Sequence, residues 1–155
     1  MKKGFSLIEL LVVVAIIGVL AGAGIVGYQG YLEGVKKDTA KSQGTQLLRG
    51  LQAAAVAAQN RLQGQADCGA TDTLQVCLGA LGSTLKFPYV KVDGEELKLT
   101  SGAFAASCAP DKAFEVSEYS LTSNMLDTAN QTVKLTPCTN ENWAADSDLA
   151  ESLTL

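Results

Sequence analysis

The apolar positions of this chain follow three patterns, and each predicts a different element. From Leu7 to Val26 nearly every residue is Leu, Val, Ile, Ala or Gly, and Glu9 is the only charge among them. About twenty apolar residues at a helical rise cover a hydrocarbon core of roughly 30 Å. The block therefore predicts a membrane-crossing helix. From Leu47 the spacing changes: Leu47, Leu48, Leu51, Ala54, Ala55, Ala58 and Leu62 recur with helical period and predict one buried stripe. Gln43, Gln46, Gln52, Gln59 and Gln63 are assigned to the opposite side. No proline interrupts the run, so the simplest reading is one helix of roughly sixty residues stopping near Gly64. The alternative is two helices broken near Gly30 or Gly34.

Beyond Gly64 the pattern shifts toward strands. Gln65 to Ser83 reads as loop, with a short helical turn from Leu74 to Leu81. Phe87, Tyr89, Val90 and Val92 alternate in strand fashion, Asp93-Gly94 supplies a tight turn, and Glu96 to Thr100 forms the return strand. Pro88 suits an edge or a strand start, because it has no N–H for a ladder. Further strands are predicted at about 113–122 and 131–136. The expected fold class is α+β: an antiparallel sheet of three or four strands laid across the second half of the helix, burying the leucine stripe.

The extreme N-terminus carries the most specific chemistry. Lys2 and Lys3 precede the apolar block, and the positive-inside bias holds them in the cytoplasm, with the rest of the chain outside. A cleavable secretory signal would show a shorter apolar core and a small-residue cleavage site after it. Neither occurs before Tyr28-Gln29-Gly30-Tyr31, whose two tyrosines suit the membrane boundary. Glu9 is the residue to explain, because a carboxylate within a membrane helix costs about 2.5–3.5 kcal/mol on insertion scales and usually has a partner.

Lys3-Gly4-Phe5-Ser6-Leu7-Ile8-Glu9, running into an unbroken apolar helix, resembles the class III signal of type IV pilins and the related type II secretion pseudopilins. The resemblance implies a prepilin peptidase cutting between Gly4 and Phe5 and methylation of the new Phe5 amine. It also implies pairing of the Glu9 carboxylate with the Phe5 amine of a neighbouring copy during fibre assembly. A buried carboxylate met by a cation from another copy favours one register, in keeping with that role. The implied organisation is a leader over 1–4, a membrane and filament-core helix over 5–29, an amphipathic continuation over 30–64 and an extracytoplasmic β domain over 65–155. The implied partners are further copies of the chain, the peptidase, an assembly ATPase and a platform membrane protein; no cofactor is implied. One departure stands out. The family commonly has a helix-kinking proline near the position of Val26, where this chain instead carries Gly18, Gly22, Gly24, Gly27 and Gly30. Each glycine costs about 1 kcal/mol relative to alanine in a helix. Local melting or bending between Gly18 and Gly27 is therefore one expectation, and a close-packing Gly18-x-x-x-Gly22 face is another.

Composition narrows the rest. The net charge is −4, falling to −6 without Lys2 and Lys3, which disfavours nucleic acid as a partner. There is no histidine, and so no His-based acid–base chemistry and none of the commonest zinc ligand; an enzyme is not expected. The four cysteines Cys68, Cys77, Cys108 and Cys138 all lie beyond the apolar block and read as a disulfide framework. Closing the shortest loops favours Cys68 with Cys77 and Cys108 with Cys138. The second pair would then enclose the last two strands, the surface-variable part in the pilin family. Glu33, Lys36, Lys37, Asp38 and Lys41 form a charge cluster read as an interfacial anchor or subunit contact, and Asn140 to Leu155, with Trp143, reads as a solvated acidic coat. The expected function is a structural fibre subunit supporting adhesion, twitching motility or DNA uptake. A type II secretion pseudopilin and a membrane-anchored DNA-capturing minor pilin are the alternatives.

Overall fold

The computed structural model describes residues 6–60, 68–128, 130–139 and 144–155. The chain divides into two compact units, Met1–Val35 and Lys36–Leu155. Helix α1, Leu7–Gln59, is unbroken through every glycine between Gly18 and Gly34. The expected melting is absent among these residues. Helix propagation is cooperative, so scattered glycines weaken a helix without ending it, whereas a proline would remove a bond outright. The helix gives way to a turn at Asn60. Leu62, Gln63 and the expected stop at Gly64 lie outside the described residues.

In the second unit α1 buries Leu47, Leu48, Leu51, Ala54, Ala55 and Ala58, the stripe that the spacing marks. Gln43 departs from its assignment. It is only 8% exposed, and its Nε2 donates to the carbonyl of Lys86 at 2.7 Å. Gln46, Gln52 and Gln59 face outward. Helix α2, Leu74–Gly82, is capped by the Thr73 hydroxyl, which accepts from the Val76 N–H. Its first backbone donors are also used, Leu74 N–H by Ser123 O and Gln75 N–H by Leu121 O. Two glycines then let α2 lie directly on the following chain: a Cβ at Gly79 would overlap the Ser101 backbone nitrogen, and one at Gly82 would fall 2.6 Å from Leu99 O.

The expected single sheet is two. Strands β1 (Lys86–Val92) and β2 (Glu95–Lys98) form an antiparallel hairpin closed by Asp93 and Gly94, both left-handed at φ 52° and 86°. Those angles suit the primed turns that match the twist of paired strands. The register jumps between Phe87 and Lys91, so Pro88 sits in an irregularity that does not require its missing N–H. Strands β3 (Phe104–Ala105), β4 (Phe114–Ser117), β5 (Thr132–Pro137) and β6 (Glu151–Thr154) make the second sheet in that order. β3 runs parallel to β4, and the other pairs are antiparallel. β4 ends early because Glu118 takes a left-handed φ of 67°. β6 corrects the reading of the tail as a loose coat: its last residues complete the sheet, so the 108–138 loop encloses β4 and β5 but not the final strand.

The core gathers the α1 stripe with Leu74, Leu78, Met125, Val133 and Leu135. At its centre Phe114 meets Phe87 edge-on at 5.1 Å and stacks with Phe104 at 5.9 Å. Gly44 lies against this cluster, where an added Cβ would meet the Phe114 ring at an ordinary contact distance of 3.5 Å.

Candidate functional site

The site begins at the first turn of α1. Ser6 is the residue before the helix, and its carbonyl accepts from Glu9 N–H at 3.1 Å and Leu10 N–H at 3.3 Å. Glu9 reaches back, and its Oε2 accepts the Ser6 N–H at 2.9 Å. This is half of a capping box, in which an acid in the first turn satisfies a backbone donor that no helical bond can reach. Ser6 is the functional neighbour that the sequence reading passed over. The signal was present as Ser-x-x-Glu immediately before an apolar run. Gly4 and Phe5, the expected cleavage and methylation residues, lie outside the described residues.

From this cap onward the first unit presents its apolar side chains to the surroundings. Leu7 is 81% exposed and Val26 is 72% exposed, with Ile8, Leu10, Leu11, Ile16, Ile17 and Ile25 also open. The glycines from Gly18 to Gly34 have no atom within 4 Å of an added Cβ. Such a surface far exceeds what a monomer in water leaves uncovered, so lipid or protein must cover it. Among the described residues this is the one helix long and apolar enough to cross a membrane.

Comparison with known proteins agrees with this arrangement. Residues 1–25 match the prokaryotic N-terminal methylation motif. Over 119 residues the chain is 30% identical to the type IV major fimbrial protein FimA of Dichelobacter nodosus, covering 69% of this chain and 76% of that protein. The chain belongs to the type IV pilin family. No solved structure gives a significant match to this pilin. Membership makes it a structural subunit, a non-enzymatic kind of protein that assembles with its own copies into a pilus filament. The apolar helix fits a membrane-anchored precursor that later enters the pilus.

The pilin's lysine cluster is held within its own chain. The Lys36 ammonium sits 5.7 Å from the Tyr89 ring centroid, Lys37 Nζ lies 3.8 Å from Asp146 Oδ2, and Lys41 Nζ lies 3.7 Å from Glu151 Oε1. Asp146 also accepts from the Thr139 hydroxyl at 3.1 Å and the Asp148 N–H at 3.2 Å, so it gathers the C-terminal segment. A sequence shows that charges exist, whereas only the fold shows that they are spent on one another. The cysteines are joined as Cys68–Cys77 and Cys108–Cys138. No group of three or more metal-ligating side chains gathers among the described residues. Trp143 lies outside them.

Proposed function

We propose that this pilin is a principal structural subunit of a type IV pilus, made as a membrane-inserted precursor with residues 36–155 on the periplasmic side. A prepilin peptidase removes residues 1–4 between Gly4 and Phe5, and the Phe5 amine is methylated. Residues 5–29 form the membrane and filament-core segment, 30–64 its amphipathic continuation, and 65–155 the outward domain. An assembly ATPase and a platform membrane protein move the subunit from lipid into the filament. There the Glu9 carboxylate takes the Phe5 ammonium of a neighbouring copy. An ionised carboxylate accepts at about four lone-pair positions, so the bond from Ser6 leaves room for that ammonium. The filament serves adhesion, twitching motility or DNA uptake.

The observation that carries this reading is a methylation motif over residues 1–25 leading into a helix whose apolar side chains are exposed. Intact mass of protein sheared from cells tests it. The expected spectrum shows a chain starting at Phe5, one added methyl group and four oxidised cysteines. A chain beginning at Met1, or an absence of long surface filaments by electron microscopy, overturns it.

A further inference from the structure

Asn130-Gln131-Thr132 is the one Asn-x-Ser/Thr triplet in the chain. That pattern is the acceptor for sugar transfer to an asparagine amide, and the context it requires is a surface loop. The fold supplies one. Asn130 and Gln131 are exposed, between the short helical turn Met125–Thr128 and β5. Asn130 takes a left-handed φ of 62°, a conformation that asparagine adopts more readily than most residues with a side chain. Its backbone is committed: its N–H donates to Leu155 O at 2.6 Å, and Leu155 N–H donates to Gln131 O at 2.9 Å. Its side-chain amide makes no hydrogen bond among the described residues, whereas the Asn60 amide donates to Val56 O at 2.8 Å. Thr132 lies on the opposite face of β5 from the buried Val133, so its hydroxyl is turned outward, 3.3 Å from that of Thr154.

We propose that Asn130 is a site of N-linked glycosylation, with a glycosyl diphosphate as the sugar donor. In the transfer Asn130 Nδ2 bonds to C1 of the sugar, the C1–O bond to the diphosphate breaks, and the diphosphate leaves with that electron pair. One amide proton passes to a base of the transferring enzyme. The chemistry at the amide is the same whether the diphosphate is lipid-linked or nucleotide-linked. A second observation gives the glycan a use. β6 is an outer strand of its sheet, and its pairing with β5 alternates, so the backbone groups of Ser152 and Thr154 point away from β5. Such an edge pairs with foreign strands unless something blunts it, most often Lys or Pro. Glu151–Thr154 contains neither, and the Glu151 carboxylate lies 3.7 Å from Lys41 Nζ. The Asn130 turn is bonded to Leu155, the residue after β6, so a bulky hydrated group there stands beside that edge. The inference goes beyond the pilus reading and is independent of it, because neither the turn nor the edge involves Leu7–Val35.

The test is peptide mass spectrometry on the full chain, taken from the cells that naturally make it. Trypsin, cutting after Lys112 and Lys134, releases residues 113–134 with Asn130 and Thr132 inside. The peptide should be heavier than its sequence by one or more sugar residues, and fragmentation that spares the glycosidic bond should place them on Asn130. Asn130→Gln and Thr132→Val should each return the peptide to its unmodified mass while both disulfides persist, and Thr132→Ser should keep the sugar. A single addition of constant composition marks a lipid-linked donor and a ladder of single sugars a nucleotide-linked one; either supports the site. An unmodified peptide from the unsubstituted chain, sugar placed on Ser or Thr, or sugar that survives Thr132→Val overturns the inference. None of these results touches the pilus reading, which the N-terminal mass and the filaments decide.

Discussion

Ser6 donates its backbone N–H to the carboxylate of Glu9, three residues on, at 2.9 Å. Glu9 therefore has a partner within its own chain before any second copy arrives. The bond stabilises the first turn by about 1 kcal/mol, in the range of individual capping contacts, and it aims the carboxylate at the end of the helix where the Phe5 amine would be generated. Capping and assembly are separable by substitution. Glu9→Gln keeps an acceptor for Ser6 but loses the charge; Glu9→Ala loses both. Membrane fractions should hold near-normal subunit for Glu9→Gln and somewhat less for Glu9→Ala, with sheared filaments falling sharply for both. Normal filament yield from Glu9→Gln would count against ammonium pairing.

Gly79 and Gly82 set how closely α2 approaches Ser101 and Leu99. Alanine at either position drives a methyl group into backbone, and overpacking of this kind costs about 1–3 kcal/mol. Thermal unfolding of the detergent-solubilised chain should show Tm lowered by several degrees for Gly79→Ala and Gly82→Ala. Gly102→Ala, where nothing lies within 4 Å, should leave Tm unchanged.

Gln43 is buried and holds Lys86 O through its amide N–H, while its Oε1 meets no partner among the described residues. Gln43→Glu replaces that donor with a carboxyl group whose ordinary pKa is about 4.3. Burial raises the folded-state value. The unfolded chain then ionises first as pH rises, so stability falls from about pH 4.3 up to the raised value and stays low above it. Below that window the protonated carboxyl can donate to Lys86 O. Chemical denaturation should show a deficit of a few kcal/mol at pH 7 and a much smaller one at pH 4. An equal deficit at both would contradict the burial of this side chain.

Lys37 and Asp146 share an ion pair but not a burden. Lys37 is half exposed, and pairs of that kind contribute about 0–1 kcal/mol and weaken in salt. Asp146 also receives Thr139 and the Asp148 N–H. Lys37→Ala should therefore change Tm little, and not at all in 1 M salt. Asp146→Ala should cost about 1–3 kcal/mol with little salt dependence, seen as earlier proteolysis of the C-terminal strand.

The two disulfides close loops of different size, with sequence separations of 9 and 30. In the chain-entropy account the shorter loop contributes about 2–3 kcal/mol and the longer about 3–4. Replacing Cys108 and Cys138 together by serine should lower the denaturation midpoint more than replacing Cys68 and Cys77. The reverse order would show that native contacts, rather than loop closure, dominate.

What the sequence by itself determined is whatever depends on neighbours along the chain. The apolar block, its single acid, the long α1 and the stripe from Leu47 to Ala58 follow from a period that near residues set. The Asp93-Gly94 turn is equally local, because left-handed backbone favours those residue types. The rest required the tertiary structure. Gln43 is polar and so reads as surface, yet it lies one turn before Leu47 on the buried face, where the start of β1 accepts its amide at Lys86 O. β3 is two residues long and parallel to β4, too short to show any period, and β6 is only Glu-Ser-Leu-Thr, with Leu153 its one apolar residue. The split into two sheets, β1-β2 and β3-β4-β5-β6, is a matter of which strands pair, which no local period records. Periodicity reports which face of an element is apolar. Only packing decides which strand that face meets, and which charges, like Lys41 and Glu151, are spent on one another inside the domain.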